Sequence, residues 1–395
     1  MIARLTGPTS FAPRIAIFYV AIFAAVGIYL PFFPLWLEAK ALSPAQIAIV
    51  LAIPMAVRAI VTPVMVSFGD RVSDRRVILI RYASIAFGLL GLLFLANGFW
   101  QIIAVVVLVA VFWDTLVPLG DAIALSGVRK FGMDYGQVRL WGSVAFIVAN
   151  VVAGALIGAM SGNVVLPILF LVYGAVVCAT IRLPKNTVEN EEKSEDNSVF
   201  SAKAFRHPVL LLALSIGALC QASHAMVYGF GSLYWQDIGF SGLEIGTLWA
   251  VGVLAEVVLF GFSKQILNRL GPEGLLVLGA MAVVLRWLLF PIHWSFAGYF
   301  VLQILHGATF GAAHLGVMHT ISQRVPDAQT GRAQANYFFI SGVLMAVVTV
   351  LSGQLYVNYA GDGFRIMAAF GAVGLVLWIW MRSMMHSEVK PQPPR

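Results

Sequence analysis

Inside one of the most apolar parts of the chain, Trp113 to Ser126 read WDTLVPLGDAIALS, with Asp114 and Asp121 seven residues apart and Pro118 between them. Seven residues are two helical turns, so both acids fall on one face of a helix. A carboxylate at the centre of a bilayer costs about 3 kcal/mol even on a lenient insertion scale. That face must therefore look onto water, a cation or the protein interior. Other ionisable residues stand in apolar runs too: Arg58, Arg139, Arg286, Glu256, His224 and His306. Carboxylates and imidazoles exchange protons, and guanidinium groups bind carboxylates in pairs of parallel hydrogen bonds. Proton-coupled handling of an anion is the chemistry these residue types allow.

Within the first half, Arg139 is the natural partner for Asp121, and Asp114 has no evident partner. Glu256 is the one carboxylate well inside a segment of the second half, which makes it either a proton carrier or the ion-pair partner of Arg286. Plainer roles compete with each reading. The two aspartates can bond backbone groups near Pro118, Arg139 can reach the membrane surface along its apolar stem, and His306 can be a packing hydrogen-bonder. His224 and Asn336 are weaker substrate contacts, and His314 and His319 read as structural. Trp141, two residues past Arg139, is the aromatic best placed to stack on a substrate ring.

The elements that must position these groups follow from composition. The chain has 395 residues, 60% hydrophobic and 11% charged, against about 25% charged in a soluble domain. Apolar runs long enough to cross a bilayer recur from end to end. They predict an all-α polytopic membrane protein with twelve transmembrane helices, over 14–37, 45–68, 77–97, 99–126, 139–160, 163–183, 207–235, 241–264, 272–291, 294–322, 331–357 and 362–384. The acidic, Ser- and Asn-rich stretch after Leu183 predicts a solvated linker over 184–206 between six-helix halves, 1–183 and 207–395. Among loop Lys and Arg residues, only Lys40 and Arg365 fall on the side opposite the termini. The positive-inside rule then places both termini and the linker in the cytoplasm, and topology rather than nucleic acid accounts for the net charge of +7. MIARLTGPTSFAPR has no apolar core before a small-residue cleavage site, so no removable signal peptide is expected. Cys178 and Cys220 read as small buried hydrophobes.

GDRVSDRR, Gly69–Arg76, follows the second segment, and NRLGPEG, Asn268–Gly274, follows the eighth, a weak repeat of the kind left by duplication in transporters. Asp70 with Arg71, and Asn268 with Arg269 in the second half, are the candidates for gating loops whose charge-assisted contacts hold one conformation. The plain alternative is a positive-inside anchor. Gly154–Gly158 and Gly307–Gly311 predict close helix crossings. Walker A, Gly-x-Ser-x-Gly and Cys/His metal spacings are missing, so no enzyme activity, cofactor or metal is expected.

With these features together, the chain resembles the major facilitator superfamily over nearly its whole length. DRVSDRR is similar to that superfamily's signature loop, Asp-Arg-x-Gly-Arg-Arg, with Ser73 in place of the Gly and Asp74 where a base is usual. YGQVRLWGSVAF (Tyr135–Phe146) and LRWLLF…LQILHGATFG (Leu285–Gly311) resemble the branch of proton symporters that holds the lactose and phenylpropionate permeases. The resemblance implies binding-site roles for Asp121, late in the fourth helix, and Arg139, opening the fifth. It likewise matches Arg286 and His306 to an arginine of the ninth helix and a histidine of the tenth. Lactose permeases carry a glutamate central to proton coupling three residues past that histidine, where this chain has Thr309. Glu256 lies about one turn from the place of their eighth-helix glutamate. The sugar pattern is therefore incomplete, and the phenylpropionate branch is the nearer.

These readings lead to a monomeric secondary transporter of the bacterial inner-membrane type that imports a small organic solute with protons by alternating access. Asp114, Asp121, Glu256 and His306 are the proton candidates, and Arg139, Arg286 and Arg58 the anion contacts. An aromatic carboxylate leads as substrate, followed by a sugar or nucleoside. Proton-driven drug efflux is disfavoured because the fifth segment, WGSVAFIVANVVAGALIGAM, has no proline where drug antiporters of this superfamily carry Gly-Pro.

Overall fold

The structure, a computed structural model, describes residues 8–70, 72, 74–185 and 207–388. These form fifteen α-helices. In the first half of the chain they are α1 (Pro8–Ala39), α2 (Pro44–Asp70), α3 (Arg75–Gly91), α4 (Phe99–Trp113), α5 (Leu116–Phe131), α6 (Tyr135–Met160) and α7 (Val165–Arg182). The rest are α8 (Pro208–Ala222), α9 (Ala225–Asp237), α10 (Gly242–Gly261), α11 (Ser263–Leu289), α12 (Phe296–His306), α13 (Ala313–Arg324), α14 (Asp327–Tyr359) and α15 (Ala368–Glu388). Helices dominate because in hydrocarbon every backbone N–H and C=O needs a partner from its own segment.

Eleven stretches among the described residues are long and apolar enough to cross a membrane, one fewer than the twelve expected. The difference lies at the C-terminal end, where one stretch, Gln329–Met385, takes in both of the last two expected segments. Of the expected linker, only Pro184 and Lys185 are among the described residues.

Three expected single helices are broken, each at polar residues. α4 and α5 meet at Asp114–Thr115, where the Thr115 hydroxyl donates to the Phe112 carbonyl at 2.6 Å. Pro118 has no N–H to return to the Asp114 carbonyl, so this turn is loosened. α8 and α9 meet at Ser223–His224, where the Ser223 hydroxyl donates to the Cys220 carbonyl at 2.7 Å. α12 and α13 are joined by a π-helical segment, Gly307–Ala312. Such single-turn insertions are rare and concentrate at functional sites.

Helix starts are locally encoded. Ser43 and Gln46 form a capping box at α2, with the Ser43 N–H donating to Gln46 Oε1 at 2.9 Å. Ser241 and Glu244 form another at α10, with the Ser241 N–H donating to Glu244 Oε2 at 2.8 Å. Asp74, a departure from the superfamily loop, is the N-cap of α3: its carboxylate accepts from the Arg76 N–H at 3.1 Å. In α11 the backbone departs from helix at Gly271, φ 66°, and Pro272 restarts it.

By internal packing the chain forms two compact units: Met1–Lys193 with Tyr228–Ala250, and Ser194–Val227 with Val251–Arg395. In the first, Phe11 and Phe18 of α1 plug into α5 at Gly127 and Gly120, where a Cβ would stand 2.3 and 2.2 Å from the rings. Both pairs are spaced by seven residues, so one face of α1 seats on one face of α5. The expected crossing at Gly154 and Gly158 is present within this unit and brings in α10: a Cβ on Gly154 would meet the Gly242 carbonyl oxygen at 2.3 Å, and one on Gly246 the Asn150 carbonyl oxygen at 2.2 Å. In the second unit, a Cβ on Gly307 would stand 2.9 Å from the Ala255 carbonyl oxygen of α10. Cys220 is buried as expected, whereas Cys178 is exposed on α7.

Gly246→Val forces backbone apart and is expected to lower the unfolding temperature in detergent, a loss of about 1–3 kcal/mol or more. Gly88→Ala on α3, with nothing within 4 Å of the added Cβ, is expected to leave it unchanged or raise it. Equal effects of the two would show that the α6–α10 crossing is not tight.

Candidate functional site

Each unit holds a polar cluster among its described residues. In the first, Asp121 on α5 is clasped by two phenols. Tyr19 of α1 donates to Oδ1, and Tyr135, the first residue of α6, donates to the same oxygen at 3.2 Å. Arg139, the expected partner, makes no ion pair with Asp121 among the described residues; its guanidinium lies over the Phe23 ring at 3.7 Å and near Tyr19 at 5.4 Å. Arginine stacks readily on aromatic faces because it is planar and weakly hydrated. Asp121 and Arg139 are thus brought to one neighbourhood, with tyrosines as the direct contacts of the acid.

Asp114 sits two turns away at the α4–α5 break. Arg58 of α2 approaches it, Nη1 to Oδ1 at 4.0 Å. The pair is at the outer limit of an ion pair, and the Arg58 side chain is 54% exposed. Tyr29 and Tyr173 lie within electrostatic reach of Asp114, and Tyr173 stacks on Trp113 at 3.8 Å. The plainer reading, a carboxylate tied to backbone near Pro118, has no bond supporting it among the described residues.

The second unit gathers Arg286, His306 and His224 with two residues that the sequence did not single out as contacts, Gln303 and Thr309. Arg286 on α11 is 1% exposed. Its Nη2 donates to Gln303 Oε1 at 2.7 Å, and its Nη1 meets both His306 Nδ1 and Thr309 Oγ1 at 3.1 Å. His224, at the α8–α9 break, faces Thr309 Oγ1 through Nε2 at 2.9 Å and the Cys220 carbonyl through Nδ1 at 2.9 Å. The Trp287 ring lies 4.6 Å from the guanidinium and is itself held by Ser223 Oγ at 3.0 Å, and Phe310 stacks on His306 with ring centroids 5.6 Å apart. The π-helical segment carries Thr309 to this cluster, where it bonds both Arg286 and His224.

Glu256 lies on α10 against the same π segment; a Cβ on Gly311 would meet its Cγ at 3.7 Å. It makes no hydrogen bond or ion pair among the described residues, and so is not the partner of Arg286. Asn336 on α14 is 1% exposed, and neither amide atom has a hydrogen-bond partner among the described residues. Trp141 is 57% exposed on a stripe of α6 with Val144, Val148 and Val152, away from Arg139. Asn268 and Arg269 are exposed before the Gly271 break. Asp70 ends α2, but its side chain, like Arg71, lies outside the described residues.

Comparison with known proteins places these clusters in context. Residues 13–366 match the model of the MFS_1 like family. The probable 3-phenylpropionic acid transporter of Escherichia coli (strain K12) is 32% identical over 362 residues, 90% of this chain and 93% of that protein. The maltose permease of Geobacillus stearothermophilus is 24% identical over 85% of each chain. Among solved structures, the nucleoside transporter NupG superposes with a TM-score of 0.82 at 16% identity, covering 95% of this chain and 99% of that one, a likeness of fold alone.

The geometry ranks the polar contacts of the first unit. A double-mutant cycle with Arg58→Gln and Asp114→Asn is expected to give a coupling below about 1 kcal/mol, because the pair is long and half-exposed. Tyr19→Phe, which removes a charge-assisted donor from Asp121, is expected to cost about 1–3 kcal/mol. Thermal unfolding in detergent checks both, and the reverse order would show that Asp114 and not Asp121 is the anchored acid.

Proposed function

The chain belongs to the MFS_1 like family, and from that premise we propose that it imports an aromatic carboxylate together with protons by alternating access. It is a multi-pass transporter of the bacterial inner-membrane type and not an enzyme. The stretch Gln329–Met385 spans 57 residues, about 85 Å of helix, twice the roughly 40–45 Å of a bilayer with its headgroups. We read it as two crossings turning at the 3-10 segment Ala360–Met367, where Arg365 pairs with Asp362 at 2.9 Å. That gives twelve crossings, two six-helix halves about the linker and both termini in the cytoplasm.

The observation that carries the substrate class is Arg286: a fully buried guanidinium with Trp287 over it, holding the neutral acceptors Gln303, Thr309 and His306, the last stacked on Phe310. An incoming carboxylate offers two charged acceptors to the same N–H groups, and charge-assisted bonds are roughly twice as strong as neutral ones. The aromatic rings suit a ring attached to the acid. The 32% identity to a probable 3-phenylpropionic acid transporter supports the same class. Glu256, which makes no hydrogen bond or ion pair among the described residues, suits a group that takes and gives up a proton, and Asp121 with its two phenols is the counterpart in the first unit. Asp114 with Arg58 and Asn336 are secondary contacts, and the loops at Asp70–Arg71 and Asn268–Arg269 serve as gates. The second reading is a sugar, favoured by the 24% identity to a maltose permease. The chain works as a monomer, without nucleic acid, cofactor or metal.

Uptake into proteoliposomes under an inward proton gradient tests the proposal, with 3-phenylpropionate, a disaccharide, a nucleoside and a cationic dye as the panel. The acid is expected to accumulate against its gradient and to stop accumulating with a protonophore; sugar uptake instead would leave Arg286 a structural residue. Arg286→Lys, which loses the planar fork, is expected to weaken uptake of the acid more than about tenfold. Asp121→Asn and Glu256→Gln are expected to fold and to lose pH-driven accumulation. Normal accumulation by both would remove the carboxylates from the coupling scheme.

A further inference from the structure

The hydrogen bond from Arg286 specifies the protonation of His306. A guanidinium only donates, so His306 Nδ1, 3.1 Å from Arg286 Nη1, accepts. His306 is therefore neutral, with its one proton on Nε2. His224 Nδ1 faces the Cys220 and Gln221 carbonyls at 2.9 and 3.3 Å, so it donates. Its Nε2 lies 2.9 Å from the Thr309 hydroxyl, which also reaches the His306 carbonyl at 3.3 Å, and Thr309 accepts from Arg286. The His306 ring stands outside these contacts of Thr309. Its Nδ1 lone pair is satisfied by a single arginine hydrogen.

We propose that a substrate carboxylate and His306 compete for the same Arg286 Nη1 hydrogen, so that binding of the acid transfers His306 from accepting that hydrogen to accepting a proton from water. This rests on the carboxylate reading of the site. When the guanidinium turns to the carboxylate, Nδ1 is left as a buried acceptor with no donor, which is costly. A proton fills the vacated lone pair, and the resulting imidazolium faces the anion. The charge balance is closed: Arg286 contributes one positive charge before the exchange, and arginine, imidazolium and carboxylate together contribute one positive charge after it. Burial of an anion and a proton together therefore leaves the charge of the unit unchanged. Neither alone does so.

The surroundings of His306 fit this role. Arg286 and Trp287 stand on α11, His224 at the α8–α9 break with its ring centroid 5.1 Å away, and Phe310 in the π segment. On α10, a Cβ on Gly252 would stand 3.4 Å from His306 Cδ2, and Glu256 follows one turn later on the same face. Arg286 and His224 are the charged and titratable groups that act on the ring directly, with Glu256 the nearest acid along α10.

The test is titration calorimetry of the full chain in detergent with 3-phenylpropionate, in two buffers of different ionisation enthalpy. About one proton is expected to be taken up per acid bound, so affinity rises as pH falls, by at most about tenfold per pH unit. His306→Gln keeps an acceptor for Arg286 but cannot be protonated; it is expected to bind the acid more weakly, with no proton taken up and no pH dependence. Binding by the wild type without proton uptake, or uptake that persists in His306→Gln, overturns the exchange and leaves the carboxylate reading standing. No binding of the acid by the wild type overturns both. Histidine-15N spectra of the wild type follow the same exchange without a substitution: one imidazole becomes doubly protonated as the acid binds, and an unchanged histidine spectrum overturns the proposal.

Discussion

In the hydrocarbon of a bilayer no water is at hand to satisfy a loose backbone group or a bare charge. The placement of every polar residue in this chain follows from that constraint. Its helices break in three apolar stretches, and a side chain closes two of the breaks: Thr115 bonds back to the Phe112 carbonyl and Ser223 to the Cys220 carbonyl. The third is the π-helical turn Gly307–Ala312, whose Thr309 bonds Arg286. Each break also carries a candidate functional group, Asp114, His224 and Thr309 in turn. A helix loosened at one turn exposes backbone that must be re-satisfied, and the polar residues recruited for that purpose are the same ones that can handle an ion.

The two clusters use this constraint differently. In the first unit an acid is satisfied by neutral donors: Tyr19 and Tyr135 both give their phenol hydrogens to Asp121, while Arg139 rests on Phe23. In the second unit a base is satisfied by neutral acceptors, with Arg286 held by Gln303, His306 and Thr309. Neither arrangement is a tight ion pair. The Arg58–Asp114 contact beside the first cluster, long and partly exposed, contributes little to stability at that separation and exposure.

The identities of the ionisable residues were legible in the sequence because an apolar run makes each of them conspicuous, and a charge in such a run must have a reason. Their partners were not. Tyr19 and Asp121 are 102 positions apart, and nothing in a single sequence links them. Trp141 was favoured for its nearness to Arg139 in sequence, yet residues two apart in a helix point to nearly opposite sides. Asp74 and Thr309 were visible only as departures from a family pattern; the structure gives the first a helix to cap and the second an arginine to hold. The capping boxes at Ser43–Gln46 and Ser241–Glu244 were not anticipated, although their spacing is the local signal of that motif. The π turn carries no such signal, because one added residue leaves no trace in a stretch where nearly every position is apolar.

A transporter must also let go of what it binds. A bare buried guanidinium would hold a carboxylate too firmly for release, since the empty site would be left with an unsatisfied charge. Arg286 avoids that condition because Gln303, Thr309 and His306 receive its hydrogens. If a substrate carboxylate binds Arg286 as proposed, one set of hydrogen bonds is exchanged for another, and the net affinity is the difference between charge-assisted and neutral bonds rather than the whole energy of either. That difference is small enough to be reversed by a change of conformation, which needs only a few kcal/mol of differential interaction to shift the population. The neutral acceptors, which look like packing around an awkward residue, are what would make an arginine usable in a cycle of binding and release.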